Sequence, residues 1–95
     1  MSKEKNTRVT ASHILVDSLE SASDIVVQLA EGTEFDALAT KHSKCPSNVR
    51  GGSLGEFGRD QMVKPFEDAA FNLNVGEVST PVQTQFGWHV IKRTA

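Results

Sequence analysis

Histidine, cysteine and a few large apolar side chains carry whatever chemistry this sequence can do. His13 and His89 lie in its two most strand-like stretches, one near each end of the 95-residue chain. Imidazole changes charge near neutral pH, and two imidazoles in contact fix each other's tautomer, because one ring N–H must face a bare ring nitrogen. If the first and last strands are neighbours in a small sheet, these two rings can meet in the interior. Spacing alone leaves a second reading open, that of two core histidines satisfied by backbone carbonyls. Cys45, just ahead of Pro46, is a nucleophile if nearby histidines lower its pKa, and otherwise a small buried hydrophobe. His42 reads as a packing residue. His13, Cys45 and His89 lack the paired spacing of a zinc site, so no metal is expected.

Two further groups stand out. Gly51-Gly52-Ser53-Leu54-Gly55-Glu56-Phe57-Gly58 is glycine-rich, yet it has neither the Gly-Lys-Ser/Thr end of a phosphate loop nor the GxGxxG pattern. Its glycines suit a tight turn beside a strand. Met62, Phe66 and Phe86 form a looser apolar set, and the four-residue spacing of Met62 and Phe66 would bring them together on one helical face. Ordinary core packing explains them equally well at this point.

The elements that must position these residues can be read from periodicity and punctuation. Residues 9–16 form a β-branched run whose apolar side chains fall on both faces, as a strand covered on two sides requires. Asp17-Ser18 supplies turn and capping groups for a helix with Leu19, Ala22, Ile25 or Val26, Leu29 and Ala30 on one face, ending at Gly32. Thr33 is expected to cap a second helix, with Phe35, Leu38, Ala39 and His42 inward, and Pro46 stops it. Residues 43–52 then read as turns with room for one short helical turn, and residues 53–57 as a short strand. Pro65 suits the first turn of a third substantial helix lined by Phe66, Ala69, Ala70 and Leu73, with Gly76 at its end. Residues 78–82, interrupted by Pro81, read as an edge or turn, and residues 85–92 as the last strand. This order gives an α+β fold on a small, largely antiparallel sheet.

Composition bounds the function. Twelve acidic against ten basic side chains leave a net charge of −2, which speaks against a nucleic-acid footprint. The 38% apolar content and 7 glycines are ordinary for a globular chain. No apolar run reaches the roughly 20 residues of a membrane span. The polar opening carries no apolar signal core, and a lone cysteine suits a reducing compartment, so a cytoplasmic location is expected. Residues 1–7 are expected to be a flexible tail, residues 8–95 a single domain, and the protein a monomer.

Taken together, the motifs resemble the parvulin family of peptidyl-prolyl cis/trans isomerases from about Arg8 to Thr94. The resemblance rests on Ser12-His13-Ile14-Leu15-Val16, on His42-Ser43-Lys44-Cys45-Pro46-Ser47 and on Arg50-Gly51-Gly52-Ser53-Leu54-Gly55-Glu56-Phe57. It continues through Gln61-Met62-Val63-Lys64-Pro65-Phe66-Glu67-Asp68-Ala69-Ala70-Phe71, Val75-Gly76-Glu77-Val78 and Gln85-Phe86-Gly87-Trp88-His89-Val90-Ile91-Lys92. It implies a four-stranded antiparallel sheet surrounded by about four helices, in the order βαααβαββ, with one cleft. His13 and His89 match the family's paired histidines beneath the site, and Cys45 matches a position held by cysteine or aspartate in active members. Leu54, Met62, Phe66 and Phe86 fall where the family builds its proline pocket, and Gln61 and Thr84 match positions near it.

The function so implied is isomerisation of Xaa-Pro bonds in proline-containing polypeptide clients, in aid of folding, with no cofactor. Phosphorylation-directed parvulins carry a basic cluster after the first strand. Here that loop reads Asp17-Ser18-Leu19-Glu20-Ser21, and no Lys or Arg occurs between Arg8 and Lys41, so no phosphate requirement is expected. Two other readings compete. A parvulin-like module can bind extended segments without catalysing, and a Cys/His hydrolase would need an oxyanion device and an orienting acid that the sequence does not offer.

Overall fold

The computed structural model describes residues 8–95, so the expected tail over residues 1–7 lies outside the described part. The chain forms β1 (Arg8–Val16), α1 (Leu19–Ala30), α2 (Phe35–His42), a 3₁₀ helix (Pro46–Arg50), β2 (Ser53–Gly58), α3 (Lys64–Asn72), β3 (Val82–Thr84) and β4 (Gly87–Arg93). The strands make one antiparallel sheet in the order β2-β1-β4-β3. The helices are three α-helices and a five-residue 3₁₀ turn that takes the place of the third helix in the expected order.

Alternation along the two central strands sends side chains to opposite faces. Ile14 and Val16 of β1, with Val90 of β4, meet Ala22 and Ile25 of α1 and Phe35, Leu38 and Ala39 of α2 in one apolar cluster. Val9, Ala11 and Ile91 point the other way and pack with Phe57 of β2 and Phe66, Ala70 and Phe71 of α3. The sheet is thus covered on both sides, as the apolar run in β1 requires. Beyond Ala11 the α3 face of β1 continues as His13 and Leu15.

Local chemistry sets the element ends. Ser18 caps α1, its hydroxyl accepting the Ser21 N–H at 3.1 Å. Gly32, at φ +103, closes the helix, with Gly32 N bonded to Leu29 O and Thr33 N to Gln28 O. Those two bonds are the Schellman pattern. They correct the expectation for Thr33: it completes the closing turn of α1, and Glu34 takes the cap position of α2 without a side-chain hydrogen bond. Pro65 lies in the first turn of α3, as expected. Gly76 does not end that helix, which stops at Asn72. Its left-handed backbone turns the chain back so that Gly76 N donates to Arg93 O at 2.7 Å.

Three other expectations change. His42 is exposed at the last position of the eight-residue α2, beside Asp17 and Lys44 on the surface, because Phe35, Leu38 and Ala39 already fill the contact with the sheet. Leu19 and Ala30 are likewise exposed, leaving Ala22 and Ile25 as the buried residues of α1. Gln85 and Phe86 belong to the β3–β4 turn rather than to β4, since Thr84 pairs with Gly87 around them. Finally, both ends of the described chain lie side by side: Thr10 N donates to Ala95 O at 3.1 Å and Ala95 N to Thr10 O at 3.2 Å.

Candidate active site

Pairing of β1 with β4 brings the histidines together. His13 is opposite Ile91 and His89 opposite Leu15, so the two imidazoles sit diagonally on the α3 face of the sheet. Their Nδ1 atoms are 2.9 Å apart in a buried hydrogen bond. His89 Nε2 lies 2.7 Å from Thr84 Oγ1, which also accepts the Phe86 N–H at 3.1 Å. The Phe66 ring presses edge-on against both imidazoles, at 5.5 and 5.2 Å between centroids.

Burial decides the charge of this pair. His13 is driven down to a pKa of about 4, first by desolvation and then by the neighbouring His89. Desolvation also lowers the His89 pKa. Two neutral rings sharing one N–H between their Nδ1 atoms then account for all but one polar position. If Thr84 donates its hydroxyl proton to His89, the proton order runs toward His13 and leaves His13 Nε2 as an N–H; the reverse order leaves it as a lone pair. Either way His13 Nε2 has no partner, alone among buried side-chain nitrogens and oxygens of the described residues. Such a group costs about 1–3 kcal/mol of stability, which makes it a marker for a site rather than a structural device.

Above the histidines opens a cleft of about 480 Å³, within the roughly 300–1,000 Å³ of small-ligand sites. Leu54, Met62, Phe66 and Phe86 line it with His13 and His89, and Cys45 and Gln61 stand at its sides. A β-bulge supplies Leu54: Ala11 pairs with Gly55 and Ser12 with Ser53, so Leu54 is the extra residue, next to Gly55 at φ +74. Strict alternation would have sent Leu54 to the opposite face of the sheet. Gly52, at φ +86, lets the following turn run against β1: His13 N donates to Gly52 O at 2.9 Å, and a Cβ on Gly52 would stand 2.3 Å from His13 O.

Every residue singled out from the sequence for the site reaches this cleft or supports it. Met62 does so from the loop before α3, not from the helix, so it and Phe66 approach from two elements. Thr84 acts from behind His89 and does not line the wall. The Gln61 Oε1 atom is already engaged by Gly58 N at 2.6 Å, which leaves its amide nitrogen for the cleft. Phe86 is 62% exposed, a rim residue rather than part of the floor. The Cys45 sulfur accepts a hydrogen bond from Ser47 Oγ at 3.2 Å, and no hydrogen bond joins it to an imidazole among the described residues. That arrangement lacks the thiol–imidazole pair of a covalent mechanism.

Residue-by-residue reading of the sequence overlooked Leu15, Lys44, Pro46 and Val63, which also line the cleft. Alternation from His13 would have found Leu15; the others adjoin Cys45 and Met62. Lys44 is ion-paired with Asp17 at 3.4 Å.

Comparison with known proteins agrees with this geometry. The chain matches the Rotamase family, described as the PPIC-type PPIASE domain, over residues 6–95. It is 46% identical over 93 residues to the foldase protein PrsA of Geobacillus sp. (strain WCH70), covering 97% of this chain and 34% of that protein. It is 48% identical over 87 residues to the peptidyl-prolyl cis-trans isomerase Pin1 of Malus domestica, covering 92% of this chain and 70% of that one. Among solved structures, the solution structure of NmPin, the parvuline of Nitrosopumilus maritimus, superposes with a TM-score of 0.85 at 46% identity, over 94% of this chain and 97% of that one. The chain spans about a third of the length of the PrsA relatives. With a histidine pair beneath an apolar cleft, the matching sheet and helices, and sequence agreement along nearly its whole length, this chain belongs to the parvulin family of PPIC-type peptidyl-prolyl cis/trans isomerase domains.

Proposed function

We propose that the protein accelerates rotation about Xaa-Pro peptide bonds in flexible or unfolded polypeptides, without covalent chemistry and without a phosphate requirement, and so assists their folding. The observation that supports this most directly is the apolar cleft of Met62, Phe66, Leu54 and Phe86 set over a neutral histidine pair. Rotation about a peptide bond faces a barrier of roughly 18–20 kcal/mol, and Xaa-Pro bonds exchange over roughly tens to hundreds of seconds. At the twisted state amide resonance is lost and the nitrogen lone pair is freed. An apolar, water-poor grip on the pyrrolidine ring, with a hydrogen bond better made to the twisted amide than to the planar one, lowers that barrier selectively. A reduction of about 7 kcal/mol is worth roughly 10⁵-fold.

In this scheme Met62, Phe66, Leu54 and Phe86 hold the ring, with Gln61 beside it. His13 and His89, oriented by Thr84, form the polar floor, and Cys45 shapes the field near the substrate carbonyl. The only Lys or Arg lining the cleft among the described residues is Lys44, with the Asp17 carboxylate 3.4 Å away, so a phosphate before proline would meet a single lysine beside an acidic group rather than a basic cluster. A cytoplasmic, monomeric protein acting on proline-containing clients is the setting we infer, with the free Cys45 thiol as support for a reducing compartment.

NMR exchange spectroscopy on an Ala-Leu-Pro peptide, with catalytic amounts of protein, tests the proposal. Wild type should speed exchange strongly, and Met62→Ala/Phe66→Ala should abolish the acceleration. The same measurement on a Ser-Pro peptide and its phosphorylated form should show no gain from phosphate. Shifted peptide lines without faster exchange would make the cleft a binding module instead.

A further inference from the structure

Glu67 is a carboxylate where the fold has no evident need for one. It sits in the first turn of α3, immediately after the cleft residue Phe66, and is 1% exposed. Its side chain turns to the loop that carries Gln61 and Met62. Oε1 accepts the Asp60 N–H at 2.7 Å, and Oε2 accepts from Arg59 Nη1 at 2.9 Å, with Lys64 Nζ 3.7 Å from Oε2. Asp60 stands at φ +70, the only non-glycine residue with positive φ among those described. A non-glycine residue holds that conformation when its surroundings impose it. The Arg59 guanidinium lies 4.1 Å from the centre of the Phe71 ring, which ties the loop a second time to α3. Inside the loop, Gln61 Oε1 takes the Gly58 N–H.

These contacts connect the two sides of the cleft. Met62 arrives on the loop and Phe66 on the helix, and the principal polar link between them is one buried carboxylate. We infer that Glu67 is a positioning residue for the proline pocket: by clamping Asp60 and Arg59 against α3 it sets the place of Met62 opposite Phe66. The inference rests on the proposed isomerase reading of the cleft. Its mechanism is preorganisation, in which a bound geometry held in advance leaves less ordering to be done when substrate arrives. An apolar residue at position 67 would fill space, leave the Asp60 N–H without its partner, and leave Arg59 only the longer 4.0 Å contact with Asp68.

A double-mutant cycle separates this role from a general contribution to folding. The variants are Glu67→Gln, Met62→Ala and the pair, compared by exchange spectroscopy on the Ala-Leu-Pro peptide. Glu67→Gln is expected to raise KM about tenfold with kcat nearly unchanged, the scale of one charge-assisted hydrogen bond (1.36 kcal/mol per decade). In the Met62→Ala background the same change should have almost no further effect. Equal effects in both backgrounds, or a fall in kcat with KM unchanged, would overturn the inference. If Glu67→Gln fails to fold, Arg59→Ala, which leaves the Asp60 bond in place, enters the cycle instead and is judged by the same non-additivity. A wild type that binds the peptide without speeding exchange would refute the isomerase reading, and the cycle read on peptide Kd would still decide the role of Glu67. Absence of both binding and catalysis would overturn the two together.

Discussion

The two faces of the central strand pair differ in kind. Toward α1 and α2, Ile14, Val16 and Val90 pack into a buried apolar cluster with Ala22, Ile25, Phe35, Leu38 and Ala39. Toward α3 the same strands begin with an equally apolar patch of Val9, Ala11 and Ile91, and then give way to His13, His89 and an open cleft. One face is a finished core. The other is a core left incomplete at one end, with a buried ring nitrogen unpartnered and a carboxylate brought in to hold the wall. The difference teaches that stability and the proposed activity are divided between faces of a single sheet rather than between separate lobes. A substitution one residue along β1 therefore moves from one property to the other.

The sharpest way to break that division is Phe35→Ala on the far face. It should cost about 3–5 kcal/mol of stability, as a lost core aromatic does, with kcat/KM per folded molecule almost unchanged. Denaturant unfolding beside the exchange assay checks both halves; a matching loss of activity per folded molecule would mean that the faces are coupled. Next in size is pH. Both histidines have folded pKa values below the ordinary 6.5, His13 at about 4, so their contribution is complete above pH 6.5 and is lost as pH falls toward 4. In that window the unfolded chain binds protons that the native one refuses, and His13 alone is worth about 3 kcal/mol at 1.36 per unit. Glu67, lowered from 4.5 chiefly by the Asp60 N–H and then by Arg59, adds its loss only below about pH 4.5. Stability measured from pH 7 to 5 should therefore fall in wild type and stay nearly flat in His13→Leu/His89→Leu. The smallest expected effect sharpens the reading of the cleft itself: Cys45→Asp should keep activity within about tenfold, one decade being 1.36 kcal/mol. Near-total loss would return the thiol to a covalent role.

Much of the far face was legible because it obeys period and punctuation. The run in β1, the Ser18 cap and Gly32 each announce a local backbone requirement that one residue type meets best. The near face was legible mainly through resemblance to a family. His13 and His89 looked equally like core residues until β1 was paired with β4. Met62 and Phe66 shared a helical spacing but are carried by a loop and a helix, because α3 starts only at Lys64. His42 fitted the inward stripe of α2 and still faces solvent, since a short helix has no sheet left to cover at its last residue. Glu67 lay within the block from Gln61 to Phe71 without standing out as a site residue. Its place three and four residues ahead of Ala70 and Phe71 puts it on the buried stripe of α3, but a carboxylate is tolerated there only because Arg59 and Asp60 arrive from another element, which no periodicity encodes.

The paired backbone of Thr10 and Ala95 has a consequence for how this fold travels between proteins. A polypeptide enters the described fold at Arg8 and leaves it at Ala95 through neighbouring positions at one end of the central strand pair. A host chain can therefore be opened at a single surface loop and resealed around the fold, with its two cut ends hardly separated. The cleft lies on the α3 face of the sheet, and neither Thr10 nor Ala95 is among the residues that line it. Such a fold is a portable cassette: it can be spliced into a longer polypeptide at a seam that none of its cleft-lining residues occupies.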